Sequence, residues 1–131
     1  MSTAAPQPVR GPFLIVNPKA YLGSADTDAQ CRAIATMGPD IMICEPTAAI
    51  GTGRMGAGDY TERTTGIVKG VDPSILVIQT AGVTSAADVA RVLAQGADGS
   101  GGTSGIVEHP DRRQVLTEML TAVAAHRTSH S

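Results

Sequence analysis

Aromatic side chains are almost missing from this sequence, with one Phe, two Tyr and no Trp among 131 residues. Its core must therefore be aliphatic. Charge of one sign is also lacking: the formal net charge is −2 and no basic run occurs, so nothing electrostatic points to nucleic acid or to a membrane surface. No apolar run approaches the roughly eighteen residues of a membrane span, and Met1 to Gly11 lacks the charged-then-apolar order of a signal peptide. A cytoplasmic location is expected. Only two cysteines are present, Cys31 and Cys44, without zinc-ligand spacing, and they are expected to be free thiols. No metal and no cofactor is implied. What is present is a chain of 42% hydrophobic and 17% charged residues with 15 Gly, long enough to bury one core.

Apolar runs and helical stripes alternate. After a flexible tail over 1–11, Phe13-Leu14-Ile15-Val16 reads as a buried parallel strand. A helix capped by Ser24 or Asp26 follows, with Cys31, Ile34 and Met37 on one face before Gly38-Pro39 stops it. Ile41-Met42-Ile43-Cys44 is the second strand. A Gly-rich loop from Ala48 to Gly58 leads to a second helix with Tyr60, Thr64, Ile67 and Val71 in period. Ile75-Leu76-Val77-Ile78 is the third strand, and Ser85 three residues before Asp88 caps a helix with the stripe Val89, Val92, Leu93 and a stop at Gly96. The last helix has Pro110 near its first turn and Val115, Met119, Leu120 and Val123 inward, with a disordered tail over 126–131. Between these two helices the alternation requires a fourth strand, yet Ala97 to Gly105 reads as a Gly-rich loop or linker, so that strand is expected to be short or irregular. The fold class is α/β, four β-α units in one domain over 12–125.

Two stretches carry the chemistry: Val16-Asn17-Pro18-Lys19-Ala20-Tyr21 after the first strand, and Glu45-Pro46-Thr47-Ala48-Ala49-Ile50-Gly51-Thr52-Gly53 after the second. Together they resemble the catalytic signatures of the triosephosphate isomerase family, in which Asn-x-Lys follows the first barrel strand and Glu-Pro opens a loop running through Ile-Gly-Thr-Gly. Gln79 to Thr84, leading to Ser85, is similar to the seventh strand and loop of the archaeal type, and Gly99 to Val107 is in register with the eighth. The resemblance implies units one, six, seven and eight of a (β/α)8 barrel that ordinarily takes about 250 residues, hence a half or partial TIM barrel. Three departures stand out. Pro18 replaces the usual aromatic residue, Ser100-Gly101-Gly102 replaces bulky apolar residues in the eighth strand, and none of His109, His126 or His130 matches the family's catalytic His, whose neutral-imidazole role in this enzyme is a standard example of environment-tuned chemistry.

By the resemblance, Glu45 moves the proton between adjacent carbons of a small phosphorylated sugar, interconverting glyceraldehyde 3-phosphate and dihydroxyacetone phosphate. A carboxylate at a strand end under a closing loop has the raised basicity that this requires. Lys19, held by Asn17, neutralises phosphate and the developing enediolate. Backbone amides at Gly51, Gly82, Thr103 and Ser104 meet the phosphate. Taken singly, Glu45 is an ordinary residue ending a strand and Lys19 a surface lysine; the order and strand context of the set make the case. The alternatives are a sugar-phosphate-binding module or partner subunit, weak or inactive for want of the His, and a decayed product that folds poorly.

A lone half barrel leaves some eight apolar side chains wet, at roughly 1.5 to 3 kcal/mol each, comparable with a domain's whole net stability of about 5 to 15 kcal/mol. Completion as a homodimer or higher homo-oligomer is therefore expected, two chains closing one barrel so that Lys19 of one works with Glu45 of the other.

Overall fold

Strand and helix alternate in the computed structural model as the sequence pattern requires, and the structure describes residues 11–17, 24–45, 60–80 and 82–130. The elements are β1 (Ile15–Val16), α1 (Ser24–Thr36), β2 (Ile41–Cys44), α2 (Tyr60–Val71), β3 (Leu76–Gln79), α3 (Ala86–Ala94), β4 (Gly99–Ser100), α4 (Ser104–Val107) and α5 (Arg112–Ser129). The four strands form one parallel sheet in the order β1-β2-β3-β4. Adding each strand to the same edge through right-handed crossovers puts the connecting helices on one face. That is the winding of a barrel segment, and among the described residues it leaves the opposite face without helices.

Register decides which residue looks which way. Val16, Met42 and Val77 lie in one row, and Ile15, Ile41 and Leu76 in the next. Met42, Cys44 and Val77 are fully buried in a cluster with Ala35, Tyr60, Val68 and Ile75, so their side of the sheet is the helical side. Ile15, Ile43, Leu76 and Ile78 point the other way and stay half-buried or exposed. A second cluster, Val83, Val89, Leu93, Val115 and Met119, joins α3 to α5.

Helix stops follow their glycines. Gly96, at φ 104°, ends α3: its N–H reaches Leu93 O at 3.0 Å and the Ala97 N–H reaches Val92 O at 3.2 Å, the paired bonds of a Schellman cap. Gly38, at φ 73°, ends α1 with the first of these bonds only, to Ala35 O; Pro39 follows it and has no N–H to make the second.

Several expectations are corrected. Met37 is 85% exposed and Ala35 takes its place, because three-residue steps fall about 60° behind per turn and two of them leave the buried face. The buried face of α2 is Tyr60, Thr61, Thr64, Thr65 and Val68, with Ile67 half-buried and Val71 exposed. Leu120 is 67% exposed while Val115 and Met119 are buried, an i, i+4 pair from which Leu120 is turned away. Pro110 lies outside α5, which is capped by Asp111 accepting from the Gln114 N–H at 3.0 Å, and the helix continues past Ala125 to Ser129 instead of fraying at 126. Thr128 and Ser129 hydroxyls bond carbonyls one turn back in that last stretch. The first strand is two residues long with Phe13 and Leu14 exposed, since β1 is an edge strand with one neighbour. No helix among the described residues is long and apolar enough to cross a membrane.

Candidate active site at the carboxyl edge of the sheet

All four strands are parallel, so their carboxyl ends share one edge, where Asn17 follows β1, Glu45 follows β2, Thr80 follows β3 and Gly101 follows β4. Glu45, Thr80 and Gly101 form one row by register, tied by the Thr80 N–H to Cys44 O at 3.4 Å. Alternation puts Asn17 on the face of Ile15 and Glu45 on the face of Ile43, the face without helices. The two side chains meet there: Asn17 Nδ2 donates to Glu45 Oε2 at 3.1 Å. Glu45 is half-buried and Asn17 exposed. This contact lies within one chain, whereas the barrel expected from sequence paired the first-strand residues of one chain with Glu45 of another. Lys19 and Gly51 lie outside the described residues.

Gly82 and the pair Thr103-Ser104 sit on neighbouring loops. The Val83 N–H bonds Thr80 O at 3.1 Å with Gly82 at φ 79°, a turn that favours Gly at its third position. Behind it, Asp88 Oδ2 accepts from the Thr84 N–H at 3.0 Å and from its hydroxyl at 3.2 Å, while the Asp88 N–H donates to Ser85 Oγ at 3.2 Å. The capping pair read from sequence is thus real, with the acid reaching one residue further back than a capping box does.

The second loop explains its own glycines. A Cβ on Gly102 would stand 2.7 Å from Val83 O, and one on Gly105 would stand 2.7 Å from Thr84 Cα. The two loops therefore press backbone against backbone, which only glycine permits. Gly99 and Ser100 do form a strand, paired with Ile78 and Gln79, and Ser100 Oγ donates to Gln79 O at 3.0 Å. Thr103 stands at the N-cap position of the short helix α4 without a side-chain capping bond, and Ser104 begins the helix.

Beneath this edge, on the helical side, lie residues that periodicity did not single out for function. Gln79 is 2% exposed, and its Nε2 donates to Thr64 Oγ1 at 2.9 Å, Thr65 Oγ1 at 3.1 Å and Thr61 O at 3.4 Å. The signal was available: three threonines on the buried face of α2 require polar partners. Cys31 and Cys44 are buried free thiols in hydrogen-bond contact. The bond from Cys44 lowers the Cys31 thiol and holds the Cys44 thiol up, burial adding to the latter. Tyr60 is pushed up chiefly by burial, against a smaller opposing hydrogen bond to the Glu45 backbone. The histidines are engaged locally: His109 Nδ1 accepts from the Asp111 N–H at 2.9 Å, and His126 and His130 stack with ring centroids 4.0 Å apart.

No family model matches the chain. Among curated proteins it is 32% identical over 92 residues to the triosephosphate isomerase of Methanothermus fervidus, a match covering 68% of this chain and 41% of that protein. The corresponding figures for the Methanobrevibacter smithii triosephosphate isomerase are 31% over 96 residues, 71% and 43%. The chain is a partial relative of the archaeal triosephosphate isomerases. It spans about two-fifths of the length of the curated relatives it matches. A solved chain of the Amycolatopsis orientalis BexX/CysO complex superposes with a TM-score of 0.65 at 19% identity, covering 88% of this chain and 42% of that one. At that identity the likeness concerns the fold alone.

Proposed function

We propose that this protein is an aldose-ketose isomerase of triosephosphate isomerase type, acting on glyceraldehyde 3-phosphate and dihydroxyacetone phosphate or a similar small sugar phosphate. One observation carries the reading: Asn17 and Glu45, distant in sequence, share a hydrogen bond at the carboxyl edge, the edge that also bears the loops of Gly82, Thr103 and Ser104. In this reading Glu45 takes a proton from the carbon beside the substrate carbonyl and returns it to the neighbouring carbon, a transfer that one carboxylate can perform in both directions. Lys19 offsets negative charge on the phosphate and the enediolate, and amides at Gly51, Gly82, Thr103 and Ser104 hold the phosphate. Proximity and the base supply the rate that remains without an imidazole electrophile.

A second reading is a sugar-phosphate-binding module without turnover. The local engagements of His109, His126 and His130 favour it, since none of the three matches the family's catalytic His. A coupled assay of glyceraldehyde 3-phosphate isomerisation, with Glu45→Gln as control, separates the two. Turnover abolished by Glu45→Gln supports the isomerase. No turnover, together with a rise in melting temperature on adding a phosphate-bearing enediolate mimic, supports the binding module.

A further inference from the structure

We propose that two copies of this chain close a single eight-stranded barrel, β4 of each pairing with β1 of the other, and that each candidate site is completed across that seam. This deepens the isomerase reading and rests on it only for what the seam does.

Three features of the sheet require a partner of this shape. Both edges are open among the described residues, β1 pairing only with β2 and β4 only with β3, and open edges are templates for further pairing. The β1 edge is apolar, with Phe13 48%, Leu14 62% and Ile15 44% exposed. Among the described residues, the face bearing Ile15, Ile43, Leu76 and Ile78 carries no helix.

A second copy satisfies all three at once. Rotation by half a turn about an axis along the strands preserves strand direction, so β4 of one copy meets β1 of the other in parallel, as every pair within the sheet already does. The rotation places both sets of helices outside and turns both bare faces inward. Eight strands is the number at which side chains alone fill a barrel interior. A face-to-face sandwich would cover the apolar face and leave all four edges open.

Closure has a consequence for the site. The seam brings the loop of Thr103 and Ser104 in one copy beside Asn17 at the end of β1 in the second copy. A phosphate held at the seam would thus be gripped by two chains, and the contact is isologous, giving two equivalent sites per barrel.

Sedimentation equilibrium at micromolar protein tests this on the wild type, Ile15→Glu and Leu120→Glu. The expected wild-type mass is about 27 kDa, twice the 13.3 kDa chain. Ile15→Glu puts a charge into the seam and should weaken association at least tenfold. Leu120→Glu, 67% exposed on α5, should leave the mass unchanged. A folded wild-type monomer, a larger assembly, or a dimer lost on Leu120→Glu and retained on Ile15→Glu overturns the proposal. Should Ile15→Glu not fold, hydrogen exchange of the wild type decides: protection at Ile15–Val16 and Gly99–Ser100 that falls on hundredfold dilution supports the seam, and dilution-independent exchange overturns it. A dimer of this behaviour without turnover would count against the isomerase and in favour of the seam.

Discussion

Asn17 donates from Nδ2 to Glu45 Oε2 at 3.1 Å, joining the residue that ends β1 to the residue that ends β2 across the face without helices. Because the acceptor is a carboxylate on a half-buried residue, this bond orients Glu45 at the end of its strand. The family motif places Asn17 as the support of Lys19; the structure gives it a second partner.

That partner can be probed by charge. Asn17→Asp sets a like charge beside Glu45 and raises the pKa of the pair, so the acid limb of the isomerisation profile should move to higher pH. Asn17→Leu removes the donor, and kcat should fall about tenfold or more, the worth of a hydrogen bond to a charged group. Steady-state rates from pH 5 to 9 check both. An unmoved limb in Asn17→Asp would mean that Glu45 does not titrate in the rate.

The glycines divide into two groups with opposite signs. Gly102→Ala drives a Cβ to 2.7 Å from Val83 O, and the loops must separate at a cost of about 1 to 3 kcal/mol. Gly66 and Gly70 lie in α2 with nothing within 4 Å of an added Cβ. Alanine at either should stabilise by about 0.5 to 1 kcal/mol. Urea midpoints would show the two signs, and a stable Gly102→Ala would mean that the two loops do not bear on each other.

How legible these features were follows from their periodicity. The stripe Val89, Val92 and Leu93 and its cap at Ser85 and Asp88 were readable because local spacing alone determines them. The winding was readable from strand and helix alternation, whereas the bond between Asn17 and Glu45 within one chain was not, since the motif pointed Asn17 at Lys19. From Ala97 to Gly105 the short strand was legible and the loop after it was not: Gly102 and Gly105 look like linker residues in one dimension and are close-approach positions in three, since their reason lies in Val83 and Thr84. Met37 and Leu120 misled for a simpler cause: each is apolar and near a stripe, yet turned off it. The contact of Cys31 with Cys44 joins a helix to a strand and leaves no periodic trace.

Alkaline pH should loosen the fold. The Cys44 and Tyr60 protons are held more tightly in the folded chain than at their ordinary values of 9.0 and 10.0. Above those values the unfolded chain has released protons that the folded chain keeps, so stability contributed below them is lost as pH rises. The lowered Cys31 thiol opposes part of this trend. Unfolding free energy measured from pH 8 to 11 should decline, and Tyr60→Phe should flatten the decline above pH 10. A profile that Tyr60→Phe leaves equally steep would mean that the phenol is not shielded.

Gln79 offers the sharpest test of how the site is supported from below. Its amide spans from β3 to the hydroxyls of Thr64 and Thr65, and Thr64 Oγ1 itself donates to Tyr60 O at 2.7 Å. Gln79→Leu keeps the apolar bulk and removes the donor to both hydroxyl oxygens, which should cost about 1 to 3 kcal/mol. Gln79→Glu separates hydrogen bonding from shape by pH. Buried among neutral groups, the acid should bind its proton more tightly than in the unfolded chain, where the carboxyl titrates at about 4.3. The protonated form can still donate one bond, so near pH 4 the variant should approach wild-type stability. As pH rises the folded chain keeps a proton that the unfolded chain has lost, and stability relative to wild type should fall towards pH 7. Paired urea titrations at pH 4 and pH 7 measure this. Equal losses at both values would show that water reaches position 79 well enough to solvate a carboxylate, and that Gln79 is held there by packing alone.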